Sequence, residues 1–388
     1  MNGATPPPST APRPRRRLRG PGRSRRALLA LGVAVAVAVA GLGVYAWATD
    51  RPATLVIYTY ASLFGGADCG APAWSTVFGA FERAHDVSIE VECPSGTLAS
   101  TLLAQQNAPG ADLVIGLDEL TGPEADAHHL LIPYAPPALA NVSPALVQEL
   151  SPDHAVVPYE WGYLGIDYNA TFAAATDGAV AHASFPEFAQ NASWARQLQI
   201  EDPSQDITGE EFLVWQILYY EDVLHQNWTS FWRATLPHLP PPAPDWGTAF
   251  DEFSSPGGPQ MVVSYTTDPA YAAANGAAGA YNSTVSWANG TSYGWRTIYG
   301  IGIVNGSRHL ALDRAFENWF LGGTVQQLIP ETEWEYPANG TIPLPAVFAA
   351  APNPATIVPL NTETTPAQVA AALPGWISTW LGLATGAG

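Results

Sequence analysis

The residues with the most chemical potential in this chain are rings and carboxylates that recur together. The sequence holds 14 Trp and 15 Tyr. Tyr58, Tyr60, Tyr159, Trp161, Tyr163, Trp246, Tyr265, Tyr271, Trp334 and Tyr336 stand at the ends of strand-like runs or in the loops that follow them. Aromatic faces stack on flat heterocycles and attract cations, each cation contact contributing about 0.5–2 kcal/mol. Asp118, Glu160, Asp206 and Asp268 lie beside these rings, and a carboxylate in an aromatic crevice would neutralise a bound cation. Taken singly, each ring suits a core equally well, and each carboxylate is more often a solvated loop residue or a helix cap. Ser95-Gly96-Thr97 marks a junction between a strand and a helix. Free N–H groups at such a junction favour an anion, although an ordinary N-cap is the plainer explanation.

Several chemistries are excluded or unsupported. The chain contains no lysine, which removes a Walker A lysine, a pyridoxal Schiff base and any catalytic ammonium. His128-His129 has no HExxH or CxxC companion, so no metal site is expected. Tyr219-Tyr220 falls inside a helical run and is expected to be structural. No G-x-S-x-G supplies a hydrolase elbow. Neither catalysis nor a cofactor is expected.

The elements that must position these residues read as α/β. Residues 54–59 (TLVIYT), 87–92 (VSIEVE) and 112–117 (DLVIGL) are strand-like, and residues 76–84 and 97–106 between them are helical. This order implies a parallel sheet with right-handed crossovers, whose ligands bind beyond the carboxyl ends of the strands. Tyr60, Ser95-Gly96 and Asp118 are therefore expected to line one crevice. A second α/β unit follows, with strands at 163–168, 261–265 and 295–304 and helices at 185–191, 210–221 and 310–320. A final helix spans 366–383 and is expected to break at Pro374-Gly375.

Composition places this unit outside the cytoplasm. The 388 residues are 47% hydrophobic, enough to bury two lobes. Eight of the 15 basic residues lie between Arg13 and Arg26, so the chain after residue 48 carries 34 acidic against 7 basic residues. Such a surface repels nucleic acid. Residues 1–26 form a basic tail expected to be disordered and cytoplasmic, and the apolar run 27–48 is long enough to cross a bilayer. Ala46-Trp47-Ala48 leaves open a cleaved signal near Ala48, with a secreted or periplasmic product. The two cysteines, Cys69 and Cys93, are expected to form one disulfide outside the cytoplasm. Eight N-x-S/T sequons, at Asn141, Asn169, Asn191, Asn227, Asn282, Asn289, Asn305 and Asn339, support a glycosylated surface.

Six segments in order resemble the thiamine-binding proteins of thiamine ABC importers. LVIYTYASLF (55–64) is similar to the family's YTYDSF segment, and GADLVIGLD (110–118) to its ADVVLGLD. VPYEWGYLGIDYN (157–169) resembles VPFDYGYFAFVYD, and DPSQDITGEEFLVW (202–215) resembles DPRTSTPGLGLLLW. VVSYTTDPAY (262–271) is similar to VLSYTTSPAY, and EWEYP (333–337) to NWMYP.

The resemblance implies a two-lobed periplasmic-binding-protein clamp of the second topological type, preceded here by a single transmembrane helix. Lobe 1 would comprise about 54–157 plus part of 269–388, and lobe 2 about 158–268, with crossings near 157–163 and 264–268. It implies aromatic ligand contacts at Tyr60, Trp246, Tyr265 and Trp334 and phosphate-facing positions at Ser95, Gly96 and Asp206. Glu160, Asp118 and Asp206 would balance the ligand's charge. Partners would be thiamine or a thiamine phosphate, a permease and its ATPase subunit. The chain departs from the pattern at Ala61, Ser95 and Asp206, where the family has Asp, Asp and Ser. In the first loop the family's Trp aligns with Cys69, and Trp74 is the possible substitute. A carboxylate at Asp206 would repel phosphate, so free thiamine is expected to be preferred over its diphosphate. The alternatives are a binding protein for a polyamine or ferric ion, and a thiamine-degrading enzyme on the same fold using Cys69 or Cys93.

Overall fold

The computed structural model describes residues 52–65 and 72–386. The expected tail, the 27–48 segment and Cys69 lie outside the described residues. No helix among the described residues is long and apolar enough to cross a membrane.

The first half is built as its hydrophobic pattern dictates. Strand β1 (Ala53–Tyr58) leads to helix α1 (Pro72–His85), then β2 (Val87–Glu92), α2 (Leu98–Ala104) and β3 (Leu113–Leu117). β1 pairs in parallel with both β2 and β3. Trp74, Phe78 and Phe81 recur at helical spacing and are all buried, so α1 turns one apolar stripe onto the sheet. Thr97 caps α2, its side chain accepting the Ser100 N–H at 3.2 Å.

A long strand, β4 (Val157–Asn169), ties the two halves together. The second half adds β5 (Leu198–Gln199), α3 (Ile207–Leu218), α4 (Thr229–Thr235), α5 (Trp246–Ser254), β6 (Met261–Tyr265), α6 (Asp268–Ala274) and β7 (Tyr281–Thr284). β8 (Arg296–Val304), α7 (Leu310–Phe320), β9 (Tyr336–Pro337) and α8 (Pro366–Ala384) follow. The sheet runs β2-β1-β3-β8-β4-β6-β5, with β7 and β9 also on β4. β8 is antiparallel to β3 and to the first part of β4, from Ile301 opposite Val157 to Arg296 opposite Tyr163. β6 pairs antiparallel with the second part, from Leu164 opposite Tyr265 to Tyr168 opposite Met261. β4 thus passes from one set of partners to another along its length.

Each set has its own core. Leu55, Ile57, Leu113, Ile115 and Ile301 pack under Phe78, Phe81, Phe316 and Phe320 of α1 and α7. Val114, Leu117 and Ile298 cover the opposite face with Leu102 and Leu150. The second core gathers Leu164, Ile166, Met261 and Val263 with Phe212, Trp215, Phe231, Trp232 and Trp380. Each fully buried aromatic side chain contributes roughly 1.5–3 kcal/mol. That core also recruits Val285, Trp295, Ile357 and Leu360, which come from beyond the 158–268 segment.

The helix at 366–383 corrects one expectation. α8 is continuous through Pro374. Pro374 lies on the exposed side, where the carbonyl it leaves unbonded can face water, while Val369, Leu373 and Trp380 anchor the other side in the core. Thr365 and Gln368 close its N-terminus in a reciprocal capping box.

The sequons also read differently in three dimensions. Asn191, Asn227 and Asn339 each use Oδ1 to accept the N–H and the hydroxyl of the Ser or Thr two residues on. The N-x-S/T pattern there is an Asx turn. Asn339 is 3% exposed and its Nδ2 donates to the Leu321 carbonyl, so it is closed to a glycan in the folded chain. Cys93 is not a free thiol.

Candidate functional site

Beyond the carboxyl end of β1, residues of the first half of β4 join a network of hydroxyls and carboxyls. Tyr60 follows β1. Its ring lies against Gly116, where φ is +107° and a Cβ would fall 2.5 Å from the ring; only glycine admits the ring this close. The Tyr60 hydroxyl lies 2.8 Å from the Tyr159 hydroxyl, 3.2 Å from Glu333 Oε2 and 3.3 Å from Glu160 Oε1. Glu333 also accepts the Phe64 N–H. Glu335, two residues on, accepts the Thr267 hydroxyl at 3.2 Å. Its other oxygen sits over Gly162, where a Cβ would be 1.9 Å away. Glycine at position 162, the fourth residue of YEWGY, is therefore a requirement of Glu335 packing.

Burial and mutual repulsion set the protonation of these carboxyls. Burial, then the charges of Glu333 and Glu335, push Glu160 well above the usual carboxylate range. Burial pushes Glu333 up to about 7. Burial and the charge of Asp268 raise Glu335. The second oxygens of Glu160 and Glu335 are buried without a hydrogen-bond partner.

A second arm enters from β6 and α3. The Tyr265 hydroxyl lies 3.3 Å from that of Tyr299 and 3.4 Å from Thr208 Oγ1. Tyr299 stacks obliquely on Tyr60, ring centres 6.1 Å apart, so half-buried rings run without a break from Tyr60 through Tyr299 to Tyr265. Trp246 continues the run, its ring 6.2 Å from Tyr265, and its Nε1–H donates to Ser264 Oγ at 2.9 Å. Asp206 caps the twelve-residue helix α3 through the N–H groups of Thr208 at 2.9 Å and Gly209 at 3.4 Å, and it also receives the Trp246 N–H. The position a phosphate would take at that helix N-terminus is already filled by the chain's own carboxylate.

More carboxyls surround this arm. Glu119 accepts the Trp295 indole N–H at 2.6 Å and the Ile298 N–H at 2.9 Å. Burial and the Asp118 charge push it up to about 8. Burial and the charges of Asp118 and Asp206 likewise bring Glu210 to about 8. Glu211 is fully buried against the Glu119 carboxyl, and burial and the Glu119 charge raise it. Arg296 offers no relief, because it is committed to Glu149 at 2.8 Å and to the Tyr163 hydroxyl at 2.9 Å.

Tyr60, Glu160, Asp206, Trp246 and Tyr265, singled out in the sequence, are thus brought together. Trp334 is next to Glu333, with φ of 60°, a backbone strain of about 1–3 kcal/mol for a non-glycine residue. Its ring meets Tyr271 edge-on at 5.3 Å. Asp118 is 3% exposed and its Oδ1 serves three donors from Leu120 and Thr121; its charge reaches Tyr299 and Glu210, but its geometry is that of a cap. Ser95 and Gly96 are exposed, and no hydrogen bond ties either to the cluster. Sequence reasoning passed over Tyr299, Glu119, Glu210, Glu211, Glu333 and Glu335. Glu333 and Glu335 flank Trp334 in EWEYP, and that acidic flank was the available signal. Tyr159 and Tyr163 are core residues.

Among the described residues, the arrangement offers an aromatic surface bordered by carboxyls with no unpaired cation beside it. It can hold a flat cation. No group of three or more candidate ligands that could hold a metal exists among the described residues.

The fold is that of the periplasmic binding proteins. The chain matches a "Periplasmic thiamin binding protein" with a TM-score of 0.69 and 23% identity, covering 86% of this chain and 97% of that one. It matches the periplasmic binding protein AfuA from Actinobacillus pleuropneumoniae, determined with fructose-6-phosphate, equally well (TM-score 0.69, 17% identity, 86% and 99% covered). In sequence it is 27% identical over 337 residues to the "Thiamine-binding periplasmic protein" of Brucella suis biovar 1, spanning 86% of this chain and 93% of the relative. No protein-family model matches the chain.

Proposed function

We propose that the chain is the extracytoplasmic solute-binding component of an ABC importer, and that its ligand is thiamine, taken as the free cation in preference to the diphosphate. The observation that carries this reading is the run of rings from Tyr60 through Tyr299 and Tyr265 to Trp246, bordered by Glu160, Glu333, Glu211 and Asp206 and with no available basic side chain among the described residues. A thiazolium ring is flat and cationic, and matches that surface. A diphosphate would meet Asp206 at the N-terminus of α3. The name of the Brucella suis relative supports the same solute. No catalysis is assigned.

On this reading two lobes close over the ligand about the β4 and β6 crossings and deliver it to a permease driven by a separate ATPase subunit. Residues 27–48 would hold the binding domain at the outer face of the cell membrane, or be cleaved near Ala48 to release it. A Cys69–Cys93 disulfide would brace the first loop, and glycans, where present, would sit on exposed sequons such as Asn282 and Asn289. Calorimetric titration of the purified full-length chain with thiamine, its mono- and diphosphate, and spermidine tests the reading. One-to-one binding of thiamine, tighter than the diphosphate, is expected. Heat from spermidine alone would transfer the site to polyamines.

A further inference from the structure

Trp246 is held from behind. Its Nε1–H donates to Ser264 Oγ at 2.9 Å. The Ser264 hydroxyl donates to Asp268 Oδ2, which also accepts the Tyr265 N–H at 3.3 Å. Ser264 has one proton to give. Giving it to Asp268 leaves its lone pairs facing the indole, so the chain of bonds runs in one direction, from ring to carboxylate. Asp268 opens α6 and is 8% exposed. It is faced by the fully buried Asp167 of β4, and its charge is felt by Tyr281 of β7 and by Glu335. Burial raises both carboxyls, Asp268 to about 6 and Asp167 well above the carboxylate range; Asp268 also accepts the Ser264 hydroxyl and the Tyr265 N–H, so at neutral pH Asp167 is the protonated member and Asp268 the ionised acceptor. The motif that residues 262–271 resemble has Ser at this position, where neither the reach nor the charge of Asp268 would be available.

We propose that Asp268 is a positioning residue for ligand recognition: through Ser264 it fixes the plane of the Trp246 indole, and with it the aromatic face offered to a flat cation. This rests on the reading that Trp246 carries a ring of the ligand. An indole bonded only to a serine hydroxyl is free to choose among rotamers. One bonded to a serine that is itself locked to a carboxylate is preorganised, because a hydrogen bond to an ionised acceptor is shorter and roughly twice as strong as a neutral one. The same carboxylate fixes the Tyr265 backbone, so both rings of this arm take their orientation from one anchor.

A double-mutant cycle with thiamine as the probe tests the assignment on the full-length chain. Asp268→Ser is expected to weaken binding about 5- to 10-fold in the natural background and less than about 2-fold in the Trp246→Phe background. Without ligand, the near-UV circular dichroism that wild type loses on Trp246→Phe should be largely lost in Asp268→Ser and only partly regained in Asp268→Asn, which keeps the reach of the acceptor but not its charge. Should Asp268→Ser fail to fold, Ser264→Ala breaks the same link and carries the same expectations. Equal losses in both backgrounds, or an unchanged near-UV signal, would overturn the proposal. If wild type binds no thiamine, the functional reading fails, and the ligand-free dichroism still decides whether Asp268 holds the ring.

Discussion

The Tyr60 hydroxyl lies 3.2 Å from the Glu333 carboxylate across 273 residues of sequence. The contact joins the end of the first strand to the loop before β9, and it places Glu333 and Glu160 on one phenol that has a single proton to give. The remaining repulsion is met by protonation, because no unpaired cation is at hand among the described residues.

A bound cation would therefore displace protons. Glu333 is pushed up to about 7, and Glu119 and Glu210 to about 8, each by burial first, so all three carry substantial proton occupancy at pH 7. A positive charge nearby favours their ionised forms. Thiamine binding at pH 7 is expected to release protons, read as a binding enthalpy that changes between buffers of high and low ionisation enthalpy. A buffer-independent enthalpy would mean that the cation does not sit among these groups.

The same shifts fix the sign of the pH dependence of stability. Between the ordinary Glu value of 4.5 and the folded values near 7 and 8, the folded chain holds protons that the unfolded chain releases. Stability then falls as pH rises through that window. The ligand-free protein should show a midpoint of thermal unfolding several degrees lower at pH 8 than at pH 5. Glu333→Gln, which removes one of the repelling charges, should flatten that slope.

Much of the scaffold was legible because it is written in local periodicity. VSIEVE alternates, and β2 spans the expected residues; the apolar run DLVIGL holds β3, and the parallel pairing of both with β1 follows from the intervening helices. The break expected at Pro374 is absent from α8 because Pro374 faces water, which a linear sequence does not display. The acid cluster was largely hidden. Glu333 and Glu211 look like surface residues in sequence, and what makes them a site is contact with Tyr60 and the burial around Glu119, set by tertiary packing alone. Three sequons misled for the opposite reason: Asn followed two residues on by Ser or Thr is a local Asx-turn signature as well as a glycan acceptor.

Asp206 should govern discrimination between thiamine and its diphosphate. Asp206→Ser keeps an N-cap for α3, since Ser caps nearly as well as Asp, while freeing that helix N-terminus of negative charge. The variant is expected to gain diphosphate affinity by about 5-fold or more, consistent with about 1 kcal/mol for an anion at a helix N-terminus, and to change little toward thiamine. Parallel titrations of the two ligands against both proteins check this. An unchanged ratio would place the phosphates elsewhere.

Trp246 and Trp334 should each contribute through their faces. Trp246→Ala is expected to weaken thiamine binding by about 1 kcal/mol or more, roughly 5-fold. Trp334 allows a sharper experiment because its backbone is strained, with φ of 60° held by an N–H bond to the Ile329 carbonyl at 3.1 Å. Glycine adopts that conformation freely and alanine does not. Trp334→Gly should therefore be more stable than Trp334→Ala by about 1 kcal/mol in denaturant titration, while both lose thiamine affinity to the same extent. Affinity that tracked stability across the two variants would assign Trp334 to the scaffold; affinity lost equally in both would assign its ring to the ligand.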